Sequence, residues 1–157
     1  MITAPFVQHW KTEQSTVRAG SALGPLLALG DAVLLTGDVG TGKTHFARAL
    51  IRSILFVPED VPSPTFTLVQ VYDTVQGPLW HADLYRVSTA MEVDELGLTE
   101  AFQDAICLIE WPDRLGSLAP SEALCLDIQM AKDGRRATFN WTDPKWARRL
   151  ENMAAHV

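Results

Sequence analysis

Cysteine is scarce, with two among 157 residues, which argues against a disulfide-stapled secreted scaffold. Both cysteines, Cys107 and Cys125, sit in apolar runs (AICLIEW and EALCLDIQM). There a free thiol is expected to serve as a small buried hydrophobe. Long apolar runs are missing too: none reaches the roughly 18 residues of a membrane span. The opening MITAPFVQHWKTE lacks the basic segment followed by an apolar one that marks export. The expected location is the cytoplasm. Basic charge is also short, with 13 Lys and Arg against 19 Asp and Glu and a formal net charge of -6. A surface that grips phosphate backbones neutralises them with lysine and arginine. Any nucleic acid is therefore expected to be held through a partner, with DGRR and KWARR as merely local basic patches. Repeats, low-complexity tracts and dividing linkers are absent from the chain.

Apolar residues are plentiful, at 47%, enough for one domain over residues 1–157 to build a core without metals or disulfides. APFVQHW reads as a short strand. Between Glu13 and Leu29, Ala19, Ala22, Leu23, Leu26 and Leu27 recur at helical spacing. Gly30 and Asp31 end that helix, and AVLLTG has the continuous apolar character of a buried parallel strand. Phe46, Leu50, Ile54 and Leu55 predict a second helix over Lys43 to Phe56. Pro58, Pro62 and Pro64 predict a loop. FTLVQVYDT and LWHADLYRV read as strands joined by a turn at Gly77-Pro78, followed by a short helix at Met91 to Leu96 and then LTEAFQDA. AICLIEW is another buried strand, stopped by Pro112. ALCLDIQM and RATFNW flank the hairpin signal Asp133-Gly134, and a last helix starts at DPKWARR, capped by Asp143 with Pro144 in its first turn. The order predicts a three-layer α/β domain whose sheet is mainly parallel with antiparallel hairpins.

Gly37-Asp38-Val39-Gly40-Thr41-Gly42-Lys43-Thr44 fits the pattern G-x-x-x-x-G-K-[ST], which would arise by chance in such a chain with odds of roughly half a percent. A buried strand precedes it and an amphipathic helix follows, the setting of a P-loop NTPase-type sheet. Glycines in that setting let backbone N–H groups turn toward phosphate oxygens, assisted by the helix N-terminus. Lys43 would reach the β- and γ-phosphates of a nucleoside triphosphate, and the Thr44 hydroxyl would ligate Mg²⁺. A second acid is needed beside the metal, at the end of a neighbouring strand. Glu110, after AICLI, and Asp83, in HADLYR, qualify: Glu110 to hold the metal, Asp83 to orient or deprotonate a water. Each also has a plainer reading, Glu110 as an ordinary strand-end acid and Asp83 as the ion-pair partner of Arg86.

His9, His45 and His156 lack metal-ligand spacing and read as ordinary polar residues. His81 shares a strand face with Asp83. Trp10, Trp141 and Trp146 read as packing residues. Trp111 is expected to point away from Glu110 if the strand extends that far, packing beneath the site or presenting a partner surface.

A guanine-nucleotide enzyme would carry an N-K-x-D reader, which the chain lacks. A small-molecule kinase with Arg135 and Arg136 as a lid stays open, as does a regulatory nucleotide sensor without positioned acids. The segments GDVGTGKTHFAR, SPTFTLVQVY, HADLYR, ELGL and AICLIEWPDRL, in this order and spacing, closely resemble the TsaE (YjeE) family of ATPases of tRNA threonylcarbamoyladenosine synthesis. The resemblance covers about Glu13 to Arg136. It implies weak ATP hydrolysis with Mg²⁺, working with TsaD and TsaB, which transfer a threonylcarbamoyl group to the adenosine next to the anticodon. The ATPase would reset or drive that complex, and tRNA would be held mainly by the others.

Carried over by position, the resemblance implies that Gly37 to Thr44, with Asp38, Val39, Gly40, Thr41, Gly42 and Lys43, bind the phosphates. It implies Thr44 and Glu110 at Mg²⁺, and Asp83 with Lys43 in hydrolysis. Ser63 and Thr65 would lie on a switch-like loop near the γ-phosphate. Glu13 and the Gly134-Arg135 hairpin would border the nucleoside, with Arg86 and Trp111 supporting the site or a partner surface. His45 stands where the family commonly repeats threonine, and Ala82 where an aromatic is frequent.

Overall fold

The computed structural model describes residues 2–156. Seven strands form one sheet: β1 (Phe6–Trp10), β2 (Ala32–Thr36), β3 (Val69–Thr74), β4 (Gly77–Asp83), β5 (Ile106–Glu110), β6 (Leu124–Met130) and β7 (Arg135–Asn140). Their order across the sheet is β1-β7-β6-β2-β5-β4-β3. Strands β6, β2, β5 and β4 run parallel, while β1–β7, β7–β6 and β4–β3 are antiparallel. The sheet is therefore evenly mixed rather than mainly parallel. The two hairpins and the N-terminal strand extend a parallel centre on both sides.

The helices are α1 (Glu13–Leu23), α2 (Lys43–Ile54), α3 (Ala90–Glu95), α4 (Leu98–Asp104) and α5 (Lys145–Ala154). Thr12 opens α1 by accepting the Ser15 N–H at 3.1 Å, a side-chain cap of the usual kind. The α1 helix stops well short of Leu29, because Pro25 lacks an N–H and tightens Gly24–Leu26 into a 3₁₀ turn. Asp143 acts just ahead of α5, accepting the Lys145 N–H at 3.0 Å, with Pro144 as the residue between. The strand expected from Phe66 begins only at Val69, since Leu68 N–H bonds the Pro64 carbonyl at 2.7 Å and folds the preceding residues into a turn.

Alternation along the strands feeds two cores. Val33, Leu35, Leu79, Ile106, Leu108, Leu126 and Phe139 meet α1, α2 and α5 on one face. Trp10 stacks on Phe46 at 5.5 Å there and meets the edge of Phe139 at 6.3 Å. The opposite face, with Ala32, Leu34, Ala82, Cys107 and Ile109, packs on α3, α4 and Leu115. This second cover lies over β2, β5 and β4 and reaches Val69 of β3, so three layers exist at the centre and two toward β6 and β7. Cys125 faces the uncovered side and is exposed, against expectation, whereas Cys107 is buried and its thiol is pushed up to about 12 by burial. The turn into β2 is tied to α5 by Asp31, which is buried and bonded to Lys145 at 2.9 Å and to Arg149. Among the described residues no helix is long and apolar enough to cross a membrane.

Candidate functional site

Because β2, β5 and β4 are parallel, their carboxyl ends gather on one edge, where open α/β sheets place ligands. From the end of β2 the chain turns through Gly37 to Gly42 before α2 begins. Gly37, Gly40 and Gly42 have φ of 132°, 86° and 106°, a region that L side chains disfavour. A Cβ on Gly37 would lie 2.2 Å from the Ile128 carbonyl oxygen of β6, whereas at Gly40 and Gly42 it would meet nothing within 4 Å. Gly37 thus lets the loop press against β6, while Gly40 and Gly42 bare the backbone beside open space. Gly37→Ala is expected to cost about 3 kcal/mol or more of stability through overpacking against backbone. Gly42→Ala should cost only about 1–2 kcal/mol of left-handed strain, a contrast that thermal melts of the two variants check.

Gly42 caps α2 without a side-chain hydrogen bond. The first N–H groups of the helix are left to a ligand or solvent, and the positive end of its dipole lies at the same place. Around it opens a cleft of about 750 Å³, lined by Val39, Gly40, Thr41, Gly42, Lys43 and Thr44 from the loop, with Thr65, Asp83 and Glu110 opposite. Glu13, Gly134 and Arg135 line it as well.

Lys43 is 5% exposed, and its Nζ donates to the carbonyl oxygens of Gly37 at 2.5 Å and Asp38 at 3.0 Å. Burial pushes the ammonium below its ordinary range, opposed by the charges of Glu110, Asp83, Asp38 and Asp127. A cation so desolvated gains from an incoming anion. The Thr44 hydroxyl donates to Glu110 Oε1 at 2.7 Å. Glu110 and Asp83 are register partners across β5 and β4, 2% and 6% exposed. Asp83 Oδ2 accepts the Thr65 hydroxyl at 3.2 Å and Oδ1 the Tyr85 N–H at 3.0 Å. Ser63 lies 2.7 Å from the Thr65 hydroxyl.

Several expectations shift. Among the described residues no ion pair joins Asp83 to Arg86, whose guanidinium sits over the Phe66 ring at 5.9 Å. Trp111 does not point away from the site: β5 ends at Glu110, and a φ of 59° at Trp111 swings the ring back into the cleft, 4.3 Å from Lys43 Nζ. Arg135 donates to the carbonyls of Thr41 at 2.9 Å and Gly40 at 3.4 Å. Arg136 is exposed on the alternate face of β7, so the two arginines do not form a joint lid. Asp38 contributes its backbone carbonyl and is not among the residues lining the cleft. His45, expected to be an ordinary polar residue, lines the cleft.

Sequence reasoning missed Trp10, Lys11, Thr12 and Tyr85 on the cleft wall. Only the pairing of β1 with β7 brings the first three there, and no local pattern announces that. For His81 the chain discloses only its strand face. Its Nε2 lies 2.7 Å from Glu110 Oε2.

Fold and cleft together define an α/β protein with a mixed seven-stranded sheet and a glycine-turned loop facing two buried acids at the carboxyl ends of its parallel strands. Residues 10–138 match the model of the family described as "Threonylcarbamoyl adenosine biosynthesis protein TsaE". The chain belongs to the TsaE family. It is 35% identical over 125 residues to the tRNA threonylcarbamoyladenosine biosynthesis protein TsaE of Rickettsia bellii, covering 80% of this chain and 87% of the relative. The protein of the same name in Bacillus subtilis is 35% identical over 129 residues, covering 81% and 80%. The crystal structure of Bacillus subtilis YdiB superposes with a TM-score of 0.79 at 25% identity, covering 99% of this chain and 98% of that one.

Proposed function

We propose that this chain is a P-loop NTPase-type, Mg²⁺-dependent ATPase that serves threonylcarbamoyl modification of the tRNA adenosine next to the anticodon, acting in the cytoplasm with TsaD and TsaB. The observation that carries this reading is the convergence of Lys43, Thr44, Glu110 and Asp83 on the open N-terminus of α2 in one cleft. Family membership supports the pathway. A volume of about 750 Å³ falls in the range of small-molecule sites.

The residues fit the ligand set. Among the described residues no group of three or more His, Cys, Asp or Glu side chains could hold a metal ion. Thr44 beside Glu110 offers Mg²⁺ the one or two protein ligands it commonly takes, together with substrate phosphates and water. Bound there with Thr44 and Glu110, Mg²⁺ would neutralise charge on the phosphate oxygens. The loop from Gly37 to Thr44, including Asp38, Val39, Gly40, Thr41 and Gly42, wraps the phosphates, and Lys43 exchanges its carbonyl partners for phosphate oxygens. Thr44, whose hydroxyl proton is directed at Glu110, would hold Mg²⁺ through its oxygen. Asp83, held by Thr65 and Tyr85, orients the attacking water and accepts its proton as the water oxygen bonds the γ-phosphorus. The bond to the β–γ bridging oxygen breaks, leaving ADP and phosphate. Glu13, Trp10 and Arg135 border the nucleoside, and Arg135 braces the loop through Thr41 and Gly40.

An acidic chain meets tRNA through its partners rather than directly. The expected result is slow ATP turnover alone and a rise of about tenfold or more when TsaD and TsaB are added, measured by phosphate release. Unchanged turnover with the partners, together with unaltered tRNA modification on depletion of the chain, would remove the proposed role.

A further inference from the structure

Resting on the reading of Glu110 as a metal-side acid, we propose that His81 is a positioning residue for Mg²⁺, acting through Glu110. His81 is 0% exposed in the strand beside β5. It lies two residues before Asp83 on the strand face that carries Leu79 toward α1 and α2. A histidine in such a place costs more than an apolar side chain unless both ring nitrogens are satisfied. Only one is. Nε2 lies 2.7 Å from Glu110 Oε2, while Nδ1 is buried without a hydrogen-bond partner among the described residues.

A carboxylate only accepts, so the Nε2 proton is the one donated. The imidazole thus leaves its other nitrogen unsatisfied and spends its single hydrogen bond on one acid. An apolar residue of similar volume would fill the space with no such penalty, so packing alone does not account for histidine here.

The consequence lies at Glu110. With Oε2 held by His81 and Oε1 receiving the Thr44 hydroxyl at 2.7 Å, both oxygens of a carboxylate that is itself 2% exposed are fixed. The orientation of Glu110 is thereby set before any metal arrives, and the Thr44 oxygen, its proton directed at Glu110, keeps its lone pairs free. Without His81, Oε2 loses its hydrogen bond and the carboxylate is free to turn away from the Thr44 hydroxyl. In that orientation the Thr44 hydroxyl would lose the acceptor that fixes it. Partners behind a metal-side group commonly tune metal affinity 10–100-fold.

The test is calorimetric titration of ATP into the full chain with Mg²⁺ and with EDTA, giving the ratio of the two dissociation constants without recourse to turnover. His81→Phe is expected to shrink the enhancement by Mg²⁺ about tenfold or more, with affinity in EDTA unchanged within about twofold. His81→Gln, whose carboxamide can still donate to Glu110, should restore the enhancement to within about threefold of the parent. In a Glu110→Gln background, His81→Phe should add no further loss, because coupled residues are not additive. If His81→Phe does not melt cooperatively, His81→Asn, whose donor falls short of Glu110, carries the same expectation. A parent-like ratio in the Phe or Asn variant overturns the proposal, and so do equal losses in the Phe and Gln variants. A parent chain that binds ATP identically with and without Mg²⁺ overturns the metal reading of the site as well, which separates the two failures.

Discussion

Lys43→Ala is expected to weaken ATP binding about 100-fold or more, or about 2.7 kcal/mol, while leaving the melting temperature within a few degrees of the parent. The two halves of this expectation come from the same geometry. The ammonium is buried and desolvated, and its partners are backbone carbonyls of its own loop and the face of Trp111. Those contacts do not restore ordinary behaviour, since burial still outweighs the surrounding acids and lowers its pKa. Removing the charge therefore relieves a desolvation cost in the ligand-free protein, and exposed ends of the loop carbonyls take up water. In the proposed reading the same charge would meet the phosphates, in a setting where ionised hydrogen bonds are strong. Calorimetric binding and a thermal melt of one preparation check both. A large drop in melting temperature with parent-like ATP affinity would assign Lys43 a structural role.

Asp83→Asn should separate hydrolysis from binding. The substitution is isosteric: Oδ1 continues to accept the Tyr85 N–H, and the new amide donates to the Thr65 hydroxyl, which reverses its role. Only the negative charge and the proton-accepting capacity are lost. Turnover is expected to fall about 100-fold or more, in line with loss of a general base, with ATP affinity within about threefold of the parent. Single-turnover phosphate release beside equilibrium binding reads the two quantities. Equal turnover in the variant would move the water-positioning role elsewhere in the cleft.

The parts of this site that could be read from the chain are those whose determinants are local. The glycine spacing from Gly37 to Gly42 dictates backbone handedness, and a buried apolar run before it and helical spacing after it dictate what the loop connects. Asp83 and Glu110 were legible for a related reason, since each closes a strand whose apolar pattern stands out.

Other features depend on contacts across long separations. Arg135 braces Thr41 only because the β6–β7 hairpin lies beside β2. Trp10 reaches the cleft only because β1 adds to β7 rather than to its neighbours in sequence. Nothing in VQHW or GRRA expresses either pairing. The reversal at Trp111 is a single positive φ, invisible to a strand-alternation argument that assumes the strand continues. Cys125 shows the same limit from the opposite direction: an apolar run predicts burial, but burial requires a covering layer, and α3 and α4 do not extend over β6.

His81 is an intermediate case. Its strand face was evident from period-two alternation, but its bond to Glu110 follows from the parallel register of β4 on β5.

The account rests on the cleft at the carboxyl ends of β2, β5 and β4 taking up ATP with Mg²⁺. The most direct measurement is calorimetric titration of the full chain with ATP in the presence of Mg²⁺, with Lys43→Ala titrated alongside. The account predicts one ATP bound per chain, tighter with Mg²⁺ than with EDTA, and about 100-fold weaker in the variant. No binding by the parent, or equal affinity in parent and variant, would contradict it.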